Sequence, residues 1–489
     1  MDNNNLRKPI VGKYILDTLS IGMYNNPLML VREYIQNSVD AIDDYNKRED
    51  YLENPKIDIC IDGRNRSIQV VDNGSGLTAS NAKNALHDIG RSLKKIHFDR
   101  GFRGIGRLGG LGYCQTLKFI TKARGEKLYS VSKWDCMKLR HLVKDKHEVV
   151  NIVDLIDEVA EFNMLSYTKK TEDHFFMVEM QNVKSPRDIL LNVPVVKAYL
   201  SQVAPVPFDR KSFTYAEKID AELRQRVPKY DTYHIYLNGE QLFKQYGDIV
   251  PLGKEAKDTI DDVEFIELQN ETGSLGFGWI AKLNLRGSIN STSLVDGIRV
   301  RCGNILVGDK NTFAELFREK RFNSYLVGEI HIIDERLVPN SRRDDFEDNE
   351  TKDEFLDCFV KTIGLPFSRK IREISVARSN GAKTEAKNAV LDRAKKILKD
   401  GYVSTKQKDR VIAELKSILK SINGDSDSVE NLIRELRHSS HFLDITDDRI
   451  SSPKKLLLKD MFDIIYEGCS NKKDAEKIIK KISNTVASS

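Results

Sequence analysis

The sequence lacks the long hydrophobic runs that membrane-spanning and exported proteins carry. It has no apolar stretch of about 18 residues, and its N-terminus, MDNNNLRKPI, has no apolar core of the signal-peptide kind. The six cysteines are scattered and include no CxxC pair, which argues against a zinc site and against a disulfide framework. We therefore expect a cytoplasmic protein with reduced thiols and no membrane partner.

Several signatures of nucleotide and nucleic-acid binding are also missing. No GxxxxGK[ST] occurs, which excludes a P-loop, and no strand–glycine–helix unit near the N-terminus supports a Rossmann fold. Zinc-finger, RRM and KH signatures are absent as well. What remains is a chain of 489 residues with 31% charged and 40% hydrophobic residues, a composition typical of globular proteins. Its length predicts roughly two to four domains.

The most informative stretch is LMLVREYIQNSVDAIDDY, from Leu28 to Tyr45. Five apolar residues recur in it at helical spacing and predict an amphipathic helix: Leu30, Val31, Ile35, Val39 and Ile42. Glu33, Asn37 and Asp40 project together from a neighbouring face. A carboxamide oxygen can bind a divalent cation, and a carboxylate one turn away can take a proton from water. An isolated pattern of this kind is more often a solvated helix face.

A β-rich run further along ends in Asp72-Asn73-Gly74-Ser75-Gly76. The strand would deliver Asp72 at its end, and the glycines permit a tight turn beside a ligand. Because an ionised carboxylate only accepts hydrogen bonds, it suits an exocyclic amine such as that of adenine; the alternative is an ordinary turn. Six glycines between Gly101 and Gly112 then form a loop whose amides can surround phosphate oxygens.

In this order, the motifs E-x-x-x-N-x-x-D-A, D-x-G-x-G, G-x-S and a glycine-rich segment resemble the GHKL ATPase superfamily. That superfamily includes gyrase B, Hsp90, histidine kinases, MutL and the MORC proteins, and the Hsp90-like and MORC-like branches fit best. The resemblance implies an α+β protein with an N-terminal Bergerat fold: a mixed sheet with helices on one face and ATP under a lid at residues 90–102. We expect this domain over residues 1–183, a transducer-type or middle-type α/β domain over 184–378, and a helical region over 379–489.

The resemblance also implies a role for each motif residue. Glu33 matches the general base, Asn37 the Mg²⁺ ligand and Asp72 the carboxylate that reads adenine. Further nucleotide contacts would come from Asp40, Gly74, Gly76, Leu77, Ser92, Lys94, Gly101, Arg103, Gly104, Ile105 and Gly106. The superfamily's late Gly-Thr motif is only faintly present, since His174 stands where its threonine is expected; Thr171 could take that place from nearby.

A second match lies in LVPNSRRD, residues 337–344, which resembles the Hsp90 middle-domain segment LPLN-x-S-R-E. It places Arg343 on the arginine that reaches the terminal phosphate and neutralises charge developing there. The same residues could instead form a charged surface turn. Gyrase-like and MutL-like enzymes use a loop lysine for this purpose, and Lys254 and Lys310 are the candidates here.

The last part of the chain, from about Ser379, shows charged helical patterns separated by Gly401 and Gly424. From Gly381 onward it holds 22 lysines and arginines against 17 aspartates and glutamates. Because the charges alternate in sign, this surplus is a weak signal for nucleic acid. We expect the region to serve dimerisation or partner docking.

Three functions compete. The favoured one is a slow, Mg²⁺-dependent, ATP-driven clamp, a homodimer at least when ATP is bound, which grips a protein client, a partner subunit or DNA. The second is a nucleotide-gated binding module with negligible turnover, such as a subunit of a larger bacterial complex or defence system. The third is a histidine-kinase-type phosphotransferase, against which the presence of Glu33 counts, because water is not the nucleophile in that reaction.

Overall fold

The structure is a computed structural model that describes residues 11–14, 18, 26–48, 52, 54–90, 105–145, 151–253, 256–421, 427–439 and 452–487. It divides into two compact units, Met1–Ile371 and Arg372–Ser489. The first unit holds the sheets and the second is helical, which confirms the predicted α+β class.

An eight-stranded mixed sheet forms the first layer of the N-terminal part. Its strands are β1 (Lys56–Asp62), β2 (Ser67–Asp72), β3 (Thr116–Lys122), β4 (Leu128–Asp135), β5 (Ala160–Ser166), β6 (Phe175–Gln181), β7 (His234–Leu237) and β8 (Glu240–Gln241). They lie in the order β5-β4-β3-β6-β2-β1-β7-β8. Neighbouring strands are antiparallel except β1 and β7, which are parallel.

Among the described residues, this part of the chain has the helices α1 (Leu28–Arg48), α2 (Ala79–His87), α3 (Cys136–Lys144), α4 (Ile152–Val159), α5 (Val193–Val203) and α6 (Ala216–Arg226). The N-terminus of helix α1 is capped by a side chain, because Asn26 Oδ1 accepts a hydrogen bond from the Leu28 amide at 3.0 Å. Its predicted apolar stripe is confirmed, since Leu30, Val31, Ile35, Val39 and Ile42 are all at most 1% exposed.

One face of the sheet meets these helices in rows of side chains that run across the strands. The central row joins Ile59, Val70, Val178 and Phe119 through paired registers. All four are buried in the same hydrophobic core as the stripe of α1. Burying such a side chain contributes about 1.5–3 kcal/mol, so these rows fix which face of each strand looks inward. One row further along lies Asp72, on the same buried face.

A second, five-stranded sheet follows in the chain. It consists of β11 (Asp262–Asn270), β12 (Gly273–Lys282), β13 (Gly297–Cys302), β14 (Ile305–Val307) and β15 (Val327–Ile332), in the order β11-β12-β15-β13-β14, after a ribbon of β9 (Ile249–Pro251) and β10 (Lys257–Thr259). Helix α7 (Glu350–Phe359) packs against β11.

The core of the second sheet contains a buried charged group, here called the Glu329 cluster: Lys244, Tyr246, Arg301, Glu329 and His331. The Glu329 carboxylate accepts hydrogen bonds from Arg301 Nε at 2.7 Å, Lys244 Nζ at 2.7 Å and Tyr246 OH at 3.0 Å. Although burial raises the pKa of Glu329, the two cations hold it well below its usual value. The charges are therefore mutually satisfied away from water, as buried ions must be.

The helical region consists of α8 (Leu365–Asp400), α9 (Thr405–Ser421), α10 (Asp427–His438), α11 (Ser452–Gly468) and α12 (Lys472–Ala487). The expected helix end at Gly401 is observed, with φ at +84°. No helix among the described residues is long and apolar enough to cross a membrane. Helix α8 runs unbroken through Ser379, where the third domain was expected to begin, and the division into three domains stays a prediction.

Two further elements complete the first sheet. Residues 152–166 form helix α4 and the edge strand β5. Strands β7 and β8 form a hairpin that turns at Asn238 and Gly239, and this hairpin extends the first sheet and not the second. The hairpin is attached to β1 by a hydrogen bond in which Asn238 Oδ1 accepts from the Ile61 amide at 2.7 Å.

The Glu329 cluster predicts a pH dependence of stability. Burial lowers the pKa of His331 to about 4, so the neutral imidazole is favoured in the folded chain. In the unfolded chain the imidazole takes up its proton near pH 6.5. The stability that the neutral His331 contributes is therefore fully present above pH 6.5 and is lost as the pH falls towards 4. We expect the free energy of unfolding to drop by roughly 3 kcal/mol over that window. Denaturant unfolding of wild type and His331→Gln measures it, and equal pH slopes would contradict the assignment.

Candidate functional site

Helix α1 carries three polar side chains on one side. Glu33 and Asn37 are half-buried and Asp40 is buried, at 4% exposure. Their spacing at i, i+4 and i+7 stacks them one above the other, as a helix requires. A carboxylate, a carboxamide oxygen and a second carboxylate therefore share one side of a helix whose opposite stripe is anchored in the core.

Arg32 connects the first of these carboxylates to a distant loop. Its Nη2 donates to Glu33 Oε1 at 3.1 Å and to the backbone carbonyl of Arg342 at 2.9 Å. The side chains of Arg32 and Glu33 are only 3% and 12% exposed, so this interaction is little screened by solvent. The loop that precedes α7 is thereby held against the N-terminal half of α1.

Arg343 is the next residue of that loop and is 7% exposed. Its backbone is left-handed, with φ at 53°, and its carbonyl accepts a hydrogen bond from the Gly308 amide at 2.7 Å. Burial lowers the pKa of Arg343, while the nearby charges of Glu33 and Asp40 raise it. The structure therefore places Arg343 within electrostatic reach of the carboxylates of α1, from a position more than 300 residues further along the chain.

The loop after β2 packs closely on α1. Asp72 is 2% exposed, and its Oδ1 accepts a hydrogen bond from the Gly74 amide at 3.0 Å. The Ser75 amide donates to the Ala41 carbonyl of α1 at 3.0 Å. A Cβ on Gly74 would lie 2.6 Å from the carbonyl carbon of Ala41, so only glycine allows this contact. Asp72 is thus fixed beside α1.

The other end of the loop is fixed to β3. Gly76 is left-handed, with φ at 61°, and a Cβ there would lie 2.1 Å from the Lys122 carbonyl oxygen. The Leu77 amide donates to the Thr121 hydroxyl at 2.8 Å, and that hydroxyl donates to the Phe175 carbonyl at 3.2 Å. Nothing in the sequence singled out Thr121, because a threonine inside a strand has no distinguishing pattern.

His174 occupies the place near Asp72 that was uncertain from the sequence. Its Nδ1 lies 2.7 Å from the Gly74 carbonyl oxygen, and its ring stacks on Tyr45 of α1 with centroids 4.5 Å apart. Since a carbonyl only accepts, Nδ1 carries the hydrogen and the other ring nitrogen of a neutral imidazole is an acceptor. Thr171 lies in an exposed turn, where its carbonyl accepts from Lys122 Nζ at 2.6 Å. Of these two residues, His174 is the one that contacts the loop after β2, and the nucleotide contact of Thr171 stays a prediction.

A short 3-10 segment, Gly106–Gly112, also packs on α1. A Cβ on Gly106 would lie 2.6 Å from Glu33 Oε2, and one on Gly110 would lie 2.3 Å from Tyr34 OH. Both glycines therefore permit a close approach to α1, and Gly106 does so at the carboxylate itself. Ile105 immediately precedes this segment.

The remaining predicted residues fall into two groups. Ser92, Lys94, Gly101, Arg103 and Gly104, the lid at 91–102 and Lys254 lie outside the described residues. Lys310 is described, and its Nζ pairs with both Asp296 oxygens, at 2.7 and 2.9 Å. Between Lys310 and Arg343, the described geometry favours Arg343, and Lys254 stays a prediction.

Comparison with known proteins bears on the same region. Residues 26–165 match the family described as histidine kinase-, DNA gyrase B-, and HSP90-like ATPase. The chain is similar to the chaperone protein HtpG of Treponema denticola, at 29% identity over 139 residues, covering 24% of this chain and 21% of the relative. It is also similar to HtpG of a Sulfurovum species, at 24% identity over 172 residues, covering 30% and 27%. The chain thus matches about a quarter of the length of these curated relatives.

The contact between Gly106 and Glu33 predicts a defect confined to the chemical step. In Gly106→Ala the new methyl group must displace the Glu33 carboxylate, whose far end can move while the backbone stays. For the ATPase activity that is proposed below for this site, we expect the rate of hydrolysis to fall about 10-fold with little change in ADP affinity. Gly63→Ala is the control, since nothing lies within 4 Å of a Cβ there. Equal hydrolysis rates for both variants would contradict the close approach.

Proposed function

Because residues 26–165 form a domain of the histidine kinase-, DNA gyrase B-, and HSP90-like ATPase family, we propose that the protein is a Mg²⁺-dependent ATPase that hydrolyses ATP to ADP and phosphate. The observation that supports hydrolysis, beyond nucleotide binding, is the convergence of Glu33, Gly106 and Arg343. A half-buried carboxylate, a glycine beside it and a buried arginine from a distant loop meet on one side of α1.

In this proposal the side chains divide the chemistry between them. Glu33 takes the proton of the attacking water, and Arg32 orients its carboxylate from the other oxygen. Arg343 stabilises the negative charge that develops on the transferred phosphoryl group. Asp72 accepts a hydrogen bond from the exocyclic amine of adenine, with His174 and Thr121 near it.

The site suits a magnesium ion on the grounds of its donor chemistry. Mg²⁺ prefers oxygen ligands and keeps several waters, so one carboxamide oxygen and the phosphates suffice to hold it. Asn37 offers that oxygen one turn from Glu33 and on the same side of α1. When bound, the ion would neutralise phosphate charge. Among the described residues no cluster of three or more His, Cys, Asp or Glu side chains offers an alternative metal site.

We also propose that ATP drives a slow conformational clamp, as the similarity to HtpG chaperones suggests. In this proposal the protein is a homodimer at least when ATP is bound, and it grips a protein client, a partner subunit or DNA. The loop of Arg342 and Arg343 supports a coupling of this kind, because its hydrogen bonds join α1, through Arg32, to Gly308 at the end of β14.

Two substitutions test binding and hydrolysis separately. Glu33→Ala should retain ADP affinity and lose at least roughly 100-fold in the single-turnover rate, because the base acts only on water.

Asp72→Asn should lower ATP and ADP affinity at least about 100-fold, because its amide turns a donor towards the adenine amine. Calorimetry and single-turnover hydrolysis measure both effects. Asp58→Asn, on the neighbouring strand and paired with Lys56 at the surface, is the matched control.

The outcomes separate the alternatives. Binding without turnover in the wild type would leave a nucleotide-gated module, and unchanged affinity of Asp72→Asn would remove Asp72 from the adenine site.

Arg343 predicts a third effect. Arg343→Ala should slow turnover by roughly 100-fold while ADP affinity stays nearly intact, because the guanidinium acts on the terminal phosphate only in the transition state. The neighbouring exposed Arg342, whose carbonyl and not its side chain contacts Arg32, supplies the control Arg342→Ala. An unaltered hydrolysis rate for Arg343→Ala would exclude it from the reaction.

A further inference from the structure

Strand β13 carries two arginines that are almost completely buried, Arg299 and Arg301, each at 1% exposure. Arg301 is held by Glu329 and by the carbonyl of Asn304 at 3.2 Å. Arg299 Nη1 donates to the carbonyls of Val295, Asp296 and Gly297 at 3.1–3.2 Å. Both guanidinium groups are therefore fixed by the second sheet and its preceding loop, and neither can reorient without losing several hydrogen bonds.

Each of these arginines extends its remaining Nη2 to the same residue of the first sheet's helices. Arg301 Nη2 donates to the Gln202 backbone carbonyl at 2.6 Å, and Arg299 Nη2 donates to Gln202 Oε1 at 3.1 Å. Gln202 is the penultimate residue of α5, whose terminal carbonyls lack partners within the helix. Two cations at a helix C-terminus are also favoured by the helix dipole. The end of α5 is thus held rigidly by β13.

Helix α5 packs in turn against α1. Tyr199, one turn before Gln202, is partly buried in the core cluster that contains Val31 and Ile35. Burial raises the pKa of Tyr199. The charge of Arg32 lowers this pKa and that of Glu33 raises it, so the phenol lies within electrostatic reach of both Arg32 and Glu33. The held end of α5 and the Arg32–Glu33 pair therefore belong to one packed unit.

The same strand pair reaches α1 by a second path. Strand β14 pairs with β13, and Gly308, directly after β14, donates its amide to Arg343. The adjacent Arg342 carbonyl accepts from Arg32. Strands β13 and β14 therefore hold the Arg32–Glu33 pair from two sides, once through α5 and once through the loop of Arg343.

We propose that Gln202 is a positioning residue for hydrolysis: held by Arg299 and Arg301, it sets α5 against α1 and so fixes the orientation of the Arg32–Glu33 pair. This rests on the proposed ATPase function. Gln202 does not touch the reacting atoms. Loss of its side chain leaves the nucleotide contacts at Asp72 in place and loosens the general base.

The test compares three variants of the full-length chain. Gln202→Ala removes the acceptor of Arg299 and the amide that donates to the Ala198 carbonyl at 3.3 Å, but it keeps the backbone bond to Arg301. Gln202→Glu restores an acceptor at the same reach. Gln241→Ala is the matched control, a partly exposed glutamine with one side-chain hydrogen bond to His234, at 2.8 Å, on the far edge of the first sheet.

We expect kcat of Gln202→Ala to fall about 10-fold, with KM and ADP affinity within about twofold of wild type. Hydrogen exchange of the nucleotide-free protein should show faster exchange in peptides covering α1 for Gln202→Ala only. Gln202→Glu should return both readouts close to wild type, and Gln241→Ala should change neither.

Three results would overturn the proposal: unchanged exchange in α1, an unchanged kcat, or a loss of ADP affinity and melting temperature together with kcat. The last would mean a merely structural role. If the wild type binds ADP but does not hydrolyse ATP, the proposed function fails, and the exchange of α1 alone decides whether Gln202 acts on that helix.

Discussion

The guanidinium of Arg32 is the point on which the geometry of the site depends. One nitrogen is shared between the Glu33 carboxylate and the Arg342 carbonyl, in surroundings from which water is largely excluded. In such surroundings a charged hydrogen bond is stronger than at the surface, and leaving either partner unsatisfied is expensive. The orientation of the base and the position of a loop from a distant part of the chain are therefore set together.

The core of the second sheet contains buried charged residues. Its core buries Lys244, Arg301 and Glu329, at no more than 1% exposure, where aliphatic side chains would have sufficed for packing. Buried ions add little net stability relative to hydrophobic side chains, but they tolerate few alternative arrangements once all partners are in place. Here the single arrangement of the buried charges also sets the position of α5, because Arg301 donates a hydrogen bond to the end of that helix. The cluster thus fixes a frame against which α1 is positioned.

Much of the site could be predicted because its signals are local. The stripe of α1 follows from periodicity, and the polar face of Glu33 and Asn37 follows from the same spacing. The edge strand β5 was harder to predict, since Ala160–Ser166 is exposed along most of its length and only its first five residues alternate between apolar and polar side chains. The buried charges were equally hidden, because alternating arginines in a strand such as GIRVRC normally indicate a solvent face. Contacts such as Gln202 with Arg299 depend on tertiary pairing that no local pattern encodes.

The parallel pairing of β1 with β7 has a consequence for how the protein is made. As the chain emerges from the ribosome, every strand from β1 to β6 becomes available well before residues 234–241. Until then the outer edge of β1 presents unpaired backbone amides and carbonyls, the kind of edge to which other chains add strands. A newly synthesised chain is therefore open to strand addition at this edge until β7 pairs with β1 and Asn238 accepts the Ile61 amide.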